Sequence, residues 1–201
     1  PEELQRIAML RRVLADMHVR PGRELSADQV VSACAERGIG VVCVASPDGL
    51  GPGRAVALAA PPSLTVVVGQ EIETTDGVLV GLFMSHPVAT GLPPGEAAAA
   101  VHAQGGVVMV PHPDTGAPSP EALRALGGAV DCHQILSGAE DAAGPDATAL
   151  RRLGLRVCAG SGATRPREVR TAVTEMPAFD GPAGMLAALD DAEQRRNAGR
   201  G

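Results

Sequence analysis

The chain has 201 residues, 45% of them hydrophobic, which is enough for one well-buried domain. Two phenylalanines and no tyrosine or tryptophan leave Ala, Val, Leu, Ile and Met to build the core, and argue against an aromatic platform for stacking bases. The formal charge of -6 argues against general nucleic-acid binding, and the absence of lysine among 17 basic residues removes Schiff-base chemistry and a P-loop lysine. Cys34, Cys43, Cys132 and Cys158 form no C-x-x-C pair and are expected to be reduced and buried. No secretory leader or membrane-length apolar run is visible, so a cytoplasmic protein without a membrane partner is expected.

In chain order, strands are expected at 12–18, 40–45, 64–68, 78–84, 107–110, 129–135 and 155–159, with a weaker eighth at 171–175. They are Val-rich with little alternation, as suits strands buried on both faces. Ser26 and Gln29 form a capping-box pattern that opens a helix with Val30, Val31, Cys34 and Ala35 on one face, closed by Gly38. Further helices are expected at 95–104, after Pro120, at 146–153 and at 183–194, followed by a frayed tail from 195. The chain is expected to form a single domain over 1–201 with its core at roughly 13–189. Alternating strands and helices imply a mostly parallel sheet, and this length suits a small distorted βα barrel of about seven parallel strands. In such a barrel the active site lies at the C-terminal ends of the strands.

Polar residues follow nearly every predicted strand. Asp16, His18 and Arg20 follow the first, Ser46, Pro47 and Asp48 the second, and Glu71 and Glu73 the third. His112 and Asp114 follow the fifth, His133, Gln134 and Ser137 lie on or past the sixth, and Ser161, Thr164 and Arg165 follow the seventh. His18, Glu71 and His112 alone make a reasonable constellation for one divalent metal. His102 on a helix and His86 in a loop suit structural or solvent-facing roles, and His133 could face either side of its strand.

From Val13 to Leu189 the order of motifs resembles the polymerase and histidinol phosphatase (PHP) superfamily. Its D-L-H-x-H strand end is matched by "DMHVR", its T-D-H turn in position by "ASPDG", and its G-x-E turn by "GQEIET". Its a-H-P strand end is matched by "PHP" within "VHAQGGVVMVPHP", and its closing G-S-D-A-H turn by "GSGAT". The resemblance implies a distorted βα barrel that holds up to three divalent metals, often zinc, manganese or iron, and hydrolyses phosphate esters. His18, Glu71 and His112 keep the ligand type at family ligand positions. Arg20 stands in place of the second histidine of the opening motif, and Ser46 and Pro47 replace the aspartate and histidine of the T-D-H turn. A fourth-strand histidine has become apolar near Val78, and Gly162 and Thr164 replace the last two ligands. Most of the multinuclear set is gone.

A guanidinium neither ligates a metal nor loses its proton, and Arg20 is therefore expected to pair with Glu71 and substitute its charge for a lost metal. Two functions follow. The first is a degenerate, pseudoenzyme-like pocket that binds a small anionic ligand or a protein partner. Its contacts would be Arg20 and Arg165, with Asp48, Asp114, Ser161 and Thr164 as further ligand-binding candidates. The second is an enzyme with reduced chemistry. It would be either a phosphoesterase using one zinc or manganese on His18, Glu71 and His112, or a metal-free catalyst using His112 or Glu71 as acid and base. The loss of most of the ligand positions favours the first.

Overall fold

The computed structural model describes residues 11–138 and 144–196; Glu140 and Asp141, expected as a solvated acidic loop, lie outside them. Nine short strands form: β1 Arg12–Val19, β2 Val41–Ser46, β3 Thr65–Glu73, β4 Val78–Leu82, β5 Val107–Val110, β6 Cys132–Leu136, β7 Arg156–Ala159, β8 Ala172–Pro177 and β9 Glu193–Arg196. They make one nearly closed, barrel-shaped sheet in the order β7-β6-β5-β4-β3-β2-β1-β8-β9. The expectation of about seven parallel strands is corrected here. β4 and β8 run against the others, and the β1–β8, β3–β4, β4–β5 and β8–β9 ladders are antiparallel.

The cause is local. β3 runs on to Glu73, five residues past the expected end at Val68, and a tight turn reverses the chain where Thr74 donates its N–H and hydroxyl to Gly77 O. A turn this short can join only antiparallel strands. Glu71 therefore lies inside β3, opposite Val80, rather than after the strand.

Among the described residues, six α-helices cover the outside: α1 Ala27–Arg37, α2 Gly51–Ala59, α3 Pro94–His102, α4 Pro120–Leu126, α5 Ala147–Arg152 and α6 Gly181–Asp190. The Ser26–Gln29 capping box forms, and Gly38 closes α1 at φ 66°. α2 escapes prediction because "GPG" reads as a loop. Pro52 sits in its first turn, where no amide donor is needed, and Gly53 lets the helix approach β3, where a Cβ would meet Val68 at 3.0 Å. α6 ends at Asp190 instead of Gln194, and the chain turns back so that Arg195 and Arg196, expected in the tail, pair with β8 as part of β9.

Small and sulfur-bearing side chains fill the interior, among them Ala15, Met17, Cys43, Met109, Cys132 and Cys158. The branched residues of the outer faces pack beneath the helices. All four cysteines are free and buried, and burial pushes Cys34 up to about 12. No helix among the described residues is long and apolar enough to cross a membrane.

Side chains seal the gap between β7 and the β8–β9 edge of the sheet. Thr174 Oγ1 accepts from Ala159 N (2.8 Å) and donates to Ala159 O (3.1 Å), and Gln194 Nε2 donates to Val157 O (2.9 Å). Thr174 is fully buried, so Thr174→Val would strand both backbone groups of Ala159. A loss of about 2–3 kcal/mol in urea unfolding is expected; an unchanged midpoint would show that the seam contributes nothing.

Candidate functional site

The strand ends bring together one charged network. The β1–β2 register shifts between Asp16 and Val19; Val19 packs in the outer layer, while His18 is directed across the barrel mouth at Glu71 and Gln134. Asp16 ties the mouth together from below. Its carboxyl accepts from Ser161 N (2.8 Å) and Arg170 N (2.9 Å), and the second contact holds Arg170 at φ 73°. Burial pushes the Asp16 carboxyl up, against the pull of these amides.

Glu71 is the centre. His18 Nε2 lies 2.8 Å from its Oε1, and Arg20 approaches with Nη2 3.0 Å from Oε2 and Nε 2.6 Å from Oε1. The Nε contact is an ion pair rather than a directed hydrogen bond, since that N–H does not point along the line. Burial alone would push Glu71 up, but His18 and Arg20 together hold it below its ordinary value. The expected Arg20–Glu71 pair is present.

Gln134 sets the direction of this network. Its Nε2 donates to Gly160 O (2.8 Å) and Leu136 O (3.1 Å), so its Oε1 is the atom that faces His18 Nδ1 at 3.0 Å. His18 thus has an oxygen facing each of its ring nitrogens.

His112 belongs to a second cluster. Its Nδ1 lies 3.0 Å from Asp114 Oδ1, closer than the Asp114 amide at 3.5 Å, and Asp114 Oδ2 accepts from Ser137 Oγ at 2.6 Å. Burial would raise Asp114, yet Ser137 and His112 hold it below its ordinary value. His112 is fully buried, and its Nε2 has no hydrogen-bond partner. That nitrogen faces Gly144, where a Cβ would stand 3.0 Å away.

Between the two clusters opens a cavity of about 310 Å³ lined by Arg20, Asp114, Ser161, Gly162, Glu168 and Thr171, with Thr115 and Gly138. The Arg20 side chain is one-third exposed (33%). One of its N–H groups donates to Glu71 Oε2, and the side chain also lines the cavity.

Other expected contacts lie elsewhere. Asp48 is exposed on its turn, its amide donating to Ser46 Oγ. Thr164 and Arg165 are exposed: both donate to Glu168, and Arg165 Nε reaches Glu24 at 2.9 Å. His133 is buried on β6, on the opposite parity from the interior-facing Cys132, and burial pulls its pKa down. His102 pairs with Asp131 away from the site. Gln134 and Ser137 stand at the strand ends, but no motif distinguishes them from ordinary polar residues. Glu168 and Thr171 follow the last matched motif and carry no sequence signal.

No family model matches the chain. A stretch of 48 residues is 44% identical to an uncharacterized protein of Methanocaldococcus jannaschii, and this match spans 24% of the chain and only 28% of that relative. Among solved structures, PsfC from Pseudomonas syringae is similar at a TM-score of 0.64 and 13% identity, over 94% of this chain and 93% of that one. A "putative metal-dependent phosphoesterase" from Bifidobacterium adolescentis is similar at 0.60 and 14% identity, over 74% and 86%. An amidohydrolase from Chromobacterium violaceum, solved with sulfate bound and no metal, is similar at 0.61 and 14% identity, over 90% and 97%. At these identities the likeness is of fold alone.

The residues present here do not fit a divalent metal. Among the described residues no three His, Cys, Asp or Glu side chains converge on one point. His18, Glu71 and His112, expected as a ligand set, are split: Glu71 is covered by Arg20, and His112 is turned to Asp114. A dication about 4 Å from the guanidinium would be repelled by about 8 kcal/mol at an effective dielectric of about 20.

Proposed function

We propose that the barrel mouth is a PHP-like site whose metal ligands have been replaced, and that it binds a small anionic molecule without a metal. One observation carries this reading: Arg20 is paired with Glu71 and at the same time lines a polar cavity. At about 30 Å³ per water, 310 Å³ holds about ten waters, the scale of a phosphorylated or carboxylated metabolite of modest size. The lining has no aromatic residue, so the ligand would be held by charge-assisted hydrogen bonds. We read the chain as a single PHP-like domain of the cytoplasm, with a protein partner for the mouth as the alternative occupant.

A second reading has an observation of its own. The His112 imidazole, oriented by Asp114, presents a buried Nε2 without a hydrogen-bond partner, which suits metal-free acid/base chemistry more than hydrolysis at a metal.

Calorimetric titration with orthophosphate tests the first reading. Arg20→Met removes a charged hydrogen-bond donor and is expected to weaken binding about 10- to 100-fold. Binding unchanged in Arg20→Met, or binding lost instead in Arg165→Met, would contradict it.

A further inference from the structure

We infer that the anion held at Arg20 also carries an ammonium group, which Glu168 and Asp114 receive in the same cavity. This inference deepens the anion reading and rests on it. The charges on the cavity wall are unequal. Arg20 is the one cationic residue among the described residues that line it, whereas Asp114 and Glu168 both bring carboxylates. Each of the three side chains is about one-third exposed (33%, 32% and 32%). Arg20 already has Glu71 as its counter-ion at 2.6 Å. Glu168 is less well matched: Arg165 Nη1 stands 3.8 Å from its Oε1, and Arg165 turns its Nε to Glu24 at 2.9 Å instead.

The acidic groups are held in place and keep acceptor capacity. Glu168 Oε2 takes the Thr164 amide (2.9 Å), the Thr164 hydroxyl (3.2 Å) and the Arg165 amide (3.1 Å), while Oε1 accepts no hydrogen bond among the described residues. Asp114 is fixed by Ser137 Oγ at 2.6 Å and by His112 Nδ1 at 3.0 Å, and these contacts keep its carboxyl below the ordinary range, hence charged. Thr171 Oγ1 donates to Glu168 O (2.7 Å), which leaves its lone pairs for a donor in the cavity. An ammonium group has three N–H donors and no acceptor, so it suits a wall of this kind. A bare anion would meet Glu168 and Asp114 as like charges in a partly desolvated space; an ammonium on the same molecule turns that repulsion into attraction. The cavity thus selects for a small molecule with an anionic group at one end and an amine at the other.

Two matched pairs of probes test this, each titrated calorimetrically into the wild-type chain at neutral pH: aminoethyl phosphate against ethyl phosphate, and β-alanine against propionate. In at least one pair the ammonium-bearing member is expected to bind at least about 10-fold more tightly, and the pair that shows it tells whether the anionic end is a phosphate or a carboxylate. Glu168→Gln keeps an acceptor oxygen for the Thr164 and Arg165 amides and is expected to lower that preference at least about threefold, without weakening the probe that lacks the amine. Equal binding within both pairs would overturn the inference, and this wild-type comparison stands however the variant folds. So would a preference unchanged in both Glu168→Gln and Asp114→Asn. Ethyl phosphate bound as tightly as aminoethyl phosphate, with no preference in the other pair, would leave the anion reading intact and remove this one. Failure of orthophosphate and of all the probes to bind would remove both.

Discussion

Replacing Glu71 with glutamine is expected to lower the stability of the barrel by about 3–5 kcal/mol, read as a fall in urea midpoint at unchanged slope. Glu71 is 3% exposed and sits between His18 and Arg20. Glutamine keeps the shape and removes the charge, leaving the Arg20 guanidinium without its counter-ion and His18 Nε2 without its carboxylate partner. Breaking a buried pair on one side costs far more than an exposed pair is worth. The sign of the pH dependence follows from the same contacts. Glu71 is held below its ordinary 4.5, so the unfolded chain binds more protons than the folded one as pH falls through that range. Its contribution is complete above about 4.5 and is lost as pH drops through its lower folded value. Asp114 adds a loss of the same sign below 3.8, and His133 adds another that begins below 6.5, whereas Asp16, pushed up by burial, acts in the opposite sense. The gap between wild type and Glu71→Gln should therefore be widest near neutral pH and shrink in acid. A gap that stays constant down to pH 3 would mean that the charge of Glu71 does not matter.

Gln134→Leu is expected to cost about 4 kcal/mol, more than any other uncharged substitution at the mouth. Leucine fills nearly the same space but strands Gly160 O and His18 Nδ1, each worth about 1–3 kcal/mol when buried and unpaired, while Leu136 O keeps its bond from Gly160 N. His112 N, 3.4 Å from Gln134 Oε1, loses a weaker contact. The side chain joins β1, β5, β6 and β7, so its removal should also loosen the mouth. Faster amide exchange at Gly160 and His18 is the measurable sign, and unchanged exchange with a loss under 1 kcal/mol would reduce Gln134 to a spacer.

Much of the barrel is legible in the residues because strands buried on both faces leave a strong mark: runs such as Val41–Ser46 and Val107–Val110 have few alternatives. The convergence of His18, Arg20 and Glu71 is legible too, since side chains at strand ends must meet at the mouth. Direction is not. Whether β3 stops at Val68 or runs to Glu73 rests on a turn at Thr74–Gly77, and with it the count of antiparallel ladders. β9 lies hidden in a charged tail because an edge strand needs no apolar pattern. Gln134 and Thr174 stay hidden for another reason: each acts through contacts with strands far away in sequence, and an isolated amide or hydroxyl on a buried strand carries no local sign of its partners. Thr164 and Arg165 mislead in the reverse way. Their place after a strand suggests an anion contact, but Glu168, three residues on from Arg165, takes up both amides.

The central claim is that the mouth holds an anion by the charge of Arg20 with no metal between them. Its most direct test is titration of the wild-type chain with orthophosphate after exhaustive chelation. The account predicts one phosphate bound per chain, with the same affinity before and after the chelator. Binding that vanishes on chelation and returns with zinc or manganese would contradict it.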